Sequence, residues 1–298
     1  MKKSRDARAL LEEPLGESAP LAYQASQTLC GKDPLSQGNC TWYHGIWQYI
    51  RILGMGAAPT VHAQQLVLSL DKLARTGNFS RVFLSGSADY SLLAHVMYAY
   101  EQAKAKLDST VVDICETPLY LCNWYAERQG KRIETVASDV LAYESDDKFD
   151  IVCAHSFLGY FDTVRRSALL SKWHQLLRPR GRVIVVQRIR PNATEGIIRF
   201  TEEEVLAFKN KVAIEAEALR EKLSLKPETL EAAAAIYAER FFTYPISSRG
   251  ELLRLFQNSG FEVHKQAFGP PTATYQTTVS GPTVPGRAEY AFIEAIRL

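Results

Sequence analysis

The fold is decided by the stretch VFLSGSADY at residues 82–90, where an apolar strand runs into a glycine turn and then into a helix predicted over Ser91 to Ala103. Gly86 lets the backbone of the turn approach a ligand closely, and the first turn of the helix offers free N–H groups. Outward from this stretch, short apolar or β-branched runs recur, and most are separated by helical segments. This alternation predicts a mainly parallel sheet with crossover helices.

The predicted strands of this sheet are Arg81–Leu84, Val111–Ile114, Ile133–Val136, Ile151–Ala154 and Arg182–Val186. Two further strands are predicted over Phe261–Phe268 and Tyr290–Ile296, joined by a link rich in Pro, Gly and Thr without a helical pattern. Because a parallel pair needs a crossover connection, usually a helix, we expect these two strands to be antiparallel. One reversed strand is therefore predicted at the edge of a parallel sheet.

Helical patterns precede the sheet and interrupt it. Residues 1–75 are predicted to form a helical cap, because aromatic and apolar residues such as Tyr43 and Trp47 recur at the spacing of one helix face. Residues 76–298 then form the sheet domain, with a helical insertion at about 191–245.

Capping patterns mark two predicted helix starts. Thr201 with Glu204, inside the insertion, forms a predicted capping box, and Ser248 with Glu251 forms another after it. Gly260 stands where the later helix needs its C-cap.

Composition excludes several classes of protein. Of 298 residues, 46% are hydrophobic and 23% charged, which excludes disordered and collagen-like chains. A net charge of +2 favours neither nucleic acid nor an anionic membrane. The sequence has no apolar run long enough to cross a bilayer and no apolar export core at its start. We therefore expect a cytoplasmic monomer or homodimer that binds neither membrane nor nucleic acid.

Cysteine spacing gives no sign of a metal. The five cysteines are Cys30, Cys40, Cys115, Cys122 and Cys153. They form an odd set without C-x-x-C or Cys/His ligand spacing, so they are predicted to be reduced, mostly structural thiols. We expect no structural zinc and no other metal.

Acidic residues follow two neighbouring predicted strands. Asp113 ends the second strand and Asp139 follows the third, while the fourth strand leads to His155. In open α/β sheets a ligand lies beyond the carboxyl ends of the strands. A carboxylate there can accept both hydroxyl protons of a ribose, and another can accept from the amine of adenine. Each acid alone is also a reasonable helix cap, but together they favour a nucleoside site.

With these features the chain resembles the class I S-adenosylmethionine-dependent methyltransferases, which have a Rossmann-like α/β sheet. The resemblance rests on the Gly86 turn, on Val111–Glu116, Ala137–Val140 and Phe149–Val152, and on the run LLRPRGRVIVV at 176–186. It implies a mostly parallel sheet with an antiparallel terminal strand, to which this chain adds a helical N-terminal extension and a helical insertion.

The resemblance also implies which residues bind S-adenosylmethionine. These are Ser85, Gly86, Ser87, Asp89, Asp113, Ile114, Asp139, Val140 and His155. Gly86 would lie under the methionine part and Asp113 would bind the ribose. Asp139 and Val140 would hold the adenine, and His155 would border the reaction centre.

The glycine turn departs from the family pattern. Where the family commonly has an acid in the first strand and three spaced glycines, this chain has Leu84, then Gly86, Ala88 and Tyr90. We therefore expect the amino-acid end of the cofactor to be held differently. Asp89 could accept from its ammonium while Ser85 or Ser87 bonds its carboxylate, or Asp89 could simply cap the helix.

Aromatic residues are dense around the same predicted site. Tyr43 is the residue we most expect to face the sulfonium cation, which aromatic rings stabilise. Tyr43, His155 and Tyr160 are the candidate catalytic residues, and His44 is a further candidate base or orienting donor. An ordinary place in the core, or an ordinary hydrogen-bonded histidine, is the alternative for each.

Three functions follow from this sequence. The first is an S-adenosylmethionine-dependent methyltransferase that acts on a small molecule. The second keeps the cofactor but cyclises or transfers its aminobutyrate part and releases methylthioadenosine, as in azetidine-2-carboxylate synthase. The third, prompted by the missing glycines, is a degenerate methyltransferase that serves as a partner subunit.

Overall fold

The computed structural model describes residues 14–33, 38–56, 58–191, 193, 196–269, 281–282 and 289–298. Its helices are α1 (Leu15–Leu29), α2 (Thr41–Ile52), α3 (Ala63–Ala74), α4 (Ser91–Ala103), α5 (Glu116–Arg128), α6 (Thr163–Leu176), α7 (Glu202–Ala218), α8 (Pro227–Arg240) and α9 (Arg249–Asn258). Short 3-10 helices span Pro59–His62, Leu158–Tyr160 and Arg220–Lys222. The first 13 residues of the predicted cap and most of the link between the last two strands lie outside the described residues.

The strands form one large sheet and two small hairpins. They are β1 (Lys32–Asp33), β2 (Gly38–Asn39), β3 (Arg81–Ser85), β4 (Asp108–Asp113), β5 (Glu134–Ala137), β6 (Phe149–His155), β7 (Leu177–Ile189), β8 (Ile198–Arg199), β9 (Phe242–Thr243), β10 (Phe261–Gly269) and β11 (Glu289–Arg297). The large sheet has the order β10-β11-β7-β6-β3-β4-β5.

The predicted mainly parallel sheet with a reversed terminal strand is confirmed. Strand β11 runs antiparallel to both β7 and β10, and β7, β6, β3, β4 and β5 are parallel to one another. The prediction that the reversed strand forms the edge was wrong, because β10 pairs with its outer side and takes the edge.

Strand β7 begins five residues before the predicted strand Arg182–Val186, at Leu177. Phe149 of β6 pairs with Leu177, and Ile151 pairs with Arg182, so residues 178–181 bulge out opposite a single residue of β6. Arg180 has φ +64°, a conformation that lets the chain bulge and continue in the same direction.

Helices cover both faces of the sheet. Along β3, Val82 and Leu84 pack toward α3, α4 and α5, whereas Phe83 packs toward α6 and α9. This is the alternation expected of a strand buried on both faces. Trp173 of α6 is fully buried between the sheet and the face covered by α6 and α9.

Both predicted helix starts are present, one of them with a different partner. Thr201 Oγ1 accepts from the Glu204 N–H while Glu204 accepts from the Thr201 N–H, as a capping box requires. Ser248 caps α9, but Glu251 accepts from Ser247 rather than from Ser248. Gly260, with φ +82°, follows the end of α9 as predicted.

Four helices form what we call the roof: α1, α2, α7 and α8. Ile46 and Ile50 of α2 share one apolar cluster with Val212 of α7 and Leu230 of α8. Helix α3, although within the predicted 1–75 cap, packs on the sheet through residues such as Leu70. Among the described residues, no helix is long and apolar enough to span a bilayer.

Arg166 of α6 joins the segment after β6 to the segment that leads from β9 into α9. Its guanidinium donates to the carbonyls of Leu158, Phe161 and Tyr244, and lies 3.2 Å from a carboxylate oxygen of Glu251. Only 3% of its side chain is exposed. One buried cation therefore satisfies backbone groups of two separate segments and pairs with the Glu251 carboxylate on α9.

We expect Arg166→Met to lower the free energy of unfolding by about 3 kcal/mol, because it leaves several buried acceptors unpaired. Urea unfolding followed by circular dichroism measures this. The control is Arg254→Met on the exposed side of α9, which should change stability by less than about 0.5 kcal/mol. Equal effects of the two substitutions would contradict the role given to Arg166.

Candidate functional site

A cavity of about 250 Å³ lies at the carboxyl ends of the five parallel strands. Its floor includes Gly86 after β3, Asp113 at the end of β4 and His155 at the end of β6. Tyr43 of α2 and Tyr237 of α8 contribute to it from the roof. The chain order of the strands reverses between β3 and β6, so the cavity lies where open α/β sheets bind ligands.

Gly86 is required by the shape of the turn after β3. Its φ is +73°, and a Cβ placed there would lie 2.3 Å from the ring of Phe157. Its N–H donates to the carbonyl of Val112 on the neighbouring strand. Gly86 therefore lets two strand ends and an aromatic ring meet at the cavity.

The Asp113 carboxylate ties together two strand ends. It accepts one hydrogen bond from the Ser87 N–H and another from the Cys115 N–H, both at 2.8 Å. Burial raises its pKa to about 6, opposed by the charge of His44 and by these two hydrogen bonds. A carboxylate offers about four acceptor positions, so two remain for hydroxyl donors.

The predicted adenine-binding residues lie beside Asp113 along the same edge. Asp139 accepts from the Leu141 N–H at 3.0 Å, and its other oxygen lies 3.5 Å from the guanidinium of Arg165. Val140 is buried, and Ile114 is half exposed. All four of these side chains line the cavity together with Asp113.

Asp89 has the capping role that we considered for it, and also forms an ion pair. It accepts from the Ser91 N–H at 2.8 Å and from the Arg51 guanidinium at 2.6 Å. Each side chain of the pair is only 2% exposed. The charge of Asp89 is thus already balanced, although the residue lines the cavity. A contact with the cofactor's ammonium stays a prediction.

Ser85 lies away from the predicted site. Its side chain is fully buried, and its hydroxyl accepts from the indole N–H of Trp173 at 2.9 Å. Residues alternate across a strand, so Ser85 points into the helical layer under the sheet. Ser87, one residue beyond the turn, does line the cavity.

The predicted aromatic residues gather at one wall of the cavity. The ring of Tyr43 stacks on Trp47 at 5.6 Å and on Tyr237 at 5.9 Å, and meets Tyr160 edge-on at 6.5 Å. Burial, together with the neighbouring Tyr160, raises the pKa of Tyr43 well above its ordinary value. Tyr43 is therefore protonated at neutral pH and is no base there.

His155 offers an uncharged imidazole to the cavity. Burial, with His62 adjacent, lowers its pKa well below the ordinary value. Its Nε2 and the hydroxyl of Ser156 are buried and make no hydrogen bond with the described residues. Both residues line the cavity. A neutral imidazole whose Nε2 has no partner among the described residues can form a hydrogen bond with a bound molecule.

Two arginines at the end of β7 were missed by the sequence analysis. Arg188 and Arg190 line the cavity with 5% and 4% of their surface exposed. Burial lowers the pKa of both, that of Arg190 to about 9. A guanidinium stays protonated at neutral pH in proteins, so both side chains are cations. No carboxylate among the described residues lies within ion-pair distance of either. The sequence does contain a signal for them, because Arg188 and Arg190 stand at alternate positions after an apolar strand. Alternate residues of a strand point to the same face.

Comparison with known proteins agrees with this geometry. Residues 94–181 match the family model described as a methyltransferase domain. The structure of 1,6-didemethyltoxoflavin-N1-methyltransferase from Burkholderia thailandensis, bound to 1,6-didemethyltoxoflavin and S-adenosylhomocysteine, is 14% identical with a TM-score of 0.52. That similarity covers 100% of this chain and 93% of the other, and it shows a shared fold.

Further solved structures are less similar. Magnesium protoporphyrin IX methyltransferase from Synechocystis is 13% identical with a TM-score of 0.47, covering 98% of this chain and 100% of that one. The N-methyltransferase NodS from Bradyrhizobium japonicum is 10% identical with a TM-score of 0.46, covering 78% and 86%. No curated protein matches the sequence.

The close approach at Gly86 gives a testable difference between two glycines. Gly77 has φ +76° with nothing near its missing Cβ, whereas Gly86 has the same φ and the Phe157 ring at 2.3 Å. Gly77→Ala should therefore cost only the left-handed strain, about 1 to 2 kcal/mol. Gly86→Ala should cost clearly more in urea unfolding, and adding Phe157→Ala should recover part of the excess. Equal costs at the two glycines would contradict the contact.

Proposed function

We propose that this chain, which carries a methyltransferase domain and has the class I S-adenosylmethionine-dependent fold, methylates a small acceptor that bears an anionic group. The observation that carries the proposal is the pair of buried cations Arg188 and Arg190 in the cavity wall. Buried charges in proteins are normally paired. A carboxylate or phosphate on the acceptor would pair them.

The cavity residues fit the cofactor. Asp113 has free acceptor positions for the two ribose hydroxyls, and Asp139 with Val140 would border the adenine. Gly86 leaves room for backbone contact with the methionine part. When bound, S-adenosylmethionine supplies an electrophilic methyl group on a sulfonium ion. The adjacent rings of Tyr43 and Tyr160 are suited to a cation, at about 0.5 to 2 kcal/mol per good contact.

The two arginines place the proposed acceptor site at a distance from the proposed nucleoside site. Strand β7 lies three strands from β4, and neighbouring strands are about 4.8 Å apart, so the ends of β7 and β4 are roughly 14 Å apart. His155, on β6, lies between them. An acceptor anchored at Arg188 and Arg190 would therefore present its nucleophile near His155.

The chain's own residues would then align the reactants and orient the proton-bearing group of the acceptor. The anion of the acceptor binds the arginines, and the roof helices exclude water. A hydroxyl or amine of the acceptor would donate a hydrogen bond to Nε2 of His155, which would orient its lone pair toward the methyl carbon, and its proton would pass to solvent as the new bond forms. Tyr43, being protonated, would donate hydrogen bonds or offer its ring.

A second function uses the same cations differently. Arg188 and Arg190 would hold the carboxylate of the cofactor itself. Its own amine, after losing a proton to solvent, would bond to the side-chain carbon next to sulfur, and the bond from that carbon to sulfur would break and release methylthioadenosine. Two observations favour this candidate: Leu84 takes the place of the family's strand acid, and Asp89 is neutralised by Arg51. The two functions differ in whether an acceptor is needed.

Location, assembly and domain roles belong to the same proposal. Five buried cysteines without a disulfide and the small net charge support a cytoplasmic enzyme of small-molecule biosynthesis, monomeric or homodimeric. The 1–75 segment and the insertion at 191–245 are proposed to close the cavity. Sedimentation of the pure chain would establish its oligomeric state, and cell fractionation its location.

The nucleoside part is tested by paired substitutions at the two ends of β4. Asp113→Asn should weaken S-adenosylhomocysteine binding about ten- to hundredfold, because it removes charge-assisted hydrogen bonds to the ribose. Asp108→Asn, at the exposed start of the same strand, should leave the affinity unchanged. Titration calorimetry measures both. Unchanged affinity in Asp113→Asn would contradict the assignment.

The acceptor part is tested with matched compounds. The enzyme is incubated with S-adenosylmethionine and aromatic carboxylates or phosphates, each beside its neutral amide or alcohol. We expect S-adenosylhomocysteine to form with the acids and far less with their neutral partners. Preference for the neutral compounds would contradict the proposal. Methylthioadenosine formed without any acceptor would support the second function instead.

Arg188 and Arg190 are expected to bind the acceptor and not the cofactor. Arg190→Gln should raise the KM of an acidic acceptor at least tenfold and leave the affinity for S-adenosylhomocysteine unchanged, since it removes a charge-assisted contact. Arg180→Gln, an exposed arginine on the same strand, is the control and should change neither value. Weakened cofactor binding in Arg190→Gln would instead place the cofactor's carboxylate at β7.

A further inference from the structure

Four buried side chains from distant parts of the sequence meet beside the cavity. They are Cys30 at the end of α1, Cys40 before α2, His44 within α2 and Cys115 between β4 and α5. The Sγ of Cys115 lies 3.4 Å from that of Cys40 and 3.7 Å from that of Cys30. Cys30 Sγ lies 3.6 Å from Nδ1 of His44. All four potential ligand atoms are within 4.8 Å of one another.

Three of the six separations between these atoms are close to those around one tetrahedral ion, and all six are within 4.8 Å. Zinc bonds of about 2.3 Å to sulfur and about 2.0 Å to nitrogen put two sulfurs about 3.8 Å apart and a sulfur and a nitrogen about 3.5 Å apart. The contacts of 3.4, 3.7 and 3.6 Å in the structure need only small adjustments. Three thiolates and one imidazole are also a ligand set that selects zinc.

The surroundings suit thiolates rather than a disulfide. The Thr117 hydroxyl lies 3.2 Å from Cys30 Sγ, where it can donate to a thiolate. Cys115 is the N-cap residue of α5, and the free N–H groups of a helix start stabilise a thiolate. A disulfide needs a sulfur separation of about 2.05 Å, whereas the described cysteines are all free thiols.

We propose that Cys30, Cys40, His44 and Cys115 bind one Zn²⁺ ion in a closed tetrahedral site. On binding, the three thiols release their protons to solvent and the imidazole binds through Nδ1 as a neutral ligand. Two elementary charges on zinc and three thiolates leave the site with one negative charge. Four protein ligands leave no position for a reacting water, so the site is structural.

Such an ion would link the roof to the sheet beside the proposed nucleoside site. Three of the ligands belong to the segment that runs from α1 into α2, and the fourth belongs to the end of β4. Cys115 also donates its N–H to Asp113, and His44 directly follows Tyr43. The ion would thus fix the ribose-binding carboxylate and the aromatic wall relative to each other.

This inference replaces our expectation from the sequence of no structural zinc. That expectation rested on spacing, since nine residues separate Cys30 from Cys40 and Cys115 lies far downstream. The crossover from β3 through α4 to β4 brings Cys115 to the same edge as α2. The inference is independent of the proposed function, since it concerns metal content alone.

The test is the metal content of the full chain, purified under reducing conditions from zinc-supplemented cultures. Elemental analysis and native mass spectrometry should find one zinc per chain. Cys40→Ser and Cys115→Ser should each lose most of it. Cys153→Ala, at a buried cysteine in the middle of β6, should keep one zinc. Equal loss in the Cys153→Ala control would overturn the assignment.

A second measurement covers the case in which the ligand variants do not fold. Wild-type chain is stripped with a chelator and titrated with Co²⁺, which should bind one ion per chain with the intense visible bands of a tetrahedral thiolate site. Zinc should displace it. Hydrogen exchange of α1 and α2 should slow when zinc is added, and exchange of β6 should change little. Reduced, folded wild type that binds neither metal would overturn the proposal.

Discussion

The Asp113 carboxylate is the contact on which the floor of the cavity depends. One oxygen accepts from the turn after β3 and the other from the start of α5, so a single side chain sets the distance between two neighbouring strand ends. The turn can reach it only because Gly86 adopts a left-handed conformation and has no Cβ to strike Phe157. The carboxylate and the glycine therefore depend on each other for their positions, and both line the cavity.

Acidic side chains line one end of the cavity, where Asp139 pairs with Arg165, and two arginines without a carboxylate partner among the described residues line the other end. Asp113 and Asp139 stand at the ends of β4 and β5, and Arg188 and Arg190 stand at the end of β7. An uncharged region with His155 and the rings of Tyr43 and Tyr160 separates them. Under the proposed function, a molecule with hydroxyls at one end and an anion at the other would be oriented by this arrangement before any reaction. An anion bound at this end would pair the two buried cations, as buried charges normally require.

The sequence predicted the parts of the fold that local patterns determine. Strand periodicity, the Thr201 capping box and the strand-end acids all depend on neighbours in the chain, and the structure contains them. It could not predict that β10 would cover β11, because strand order is decided by packing between distant segments. The side of the sheet to which Ser85 points was also missed, since one residue of register decides it. The partner of Asp89 is Arg51, 38 residues earlier, and pairing over that distance leaves no local pattern.

Two polar contacts of α2 fix the position of the roof over the sheet. His44 and Arg51 are seven residues apart, two turns of helix, and so lie on one side of α2. His44 contacts the cysteine cluster next to Asp113, and Arg51 pairs with Asp89 at the start of α4. Breaking a buried ion pair costs about 3 to 5 kcal/mol, whereas the apolar contacts of α2 with α8 tolerate small shifts. Polar contacts at both ends of α2 therefore set where Tyr43 and Trp47 stand, and the apolar contacts fill the space between.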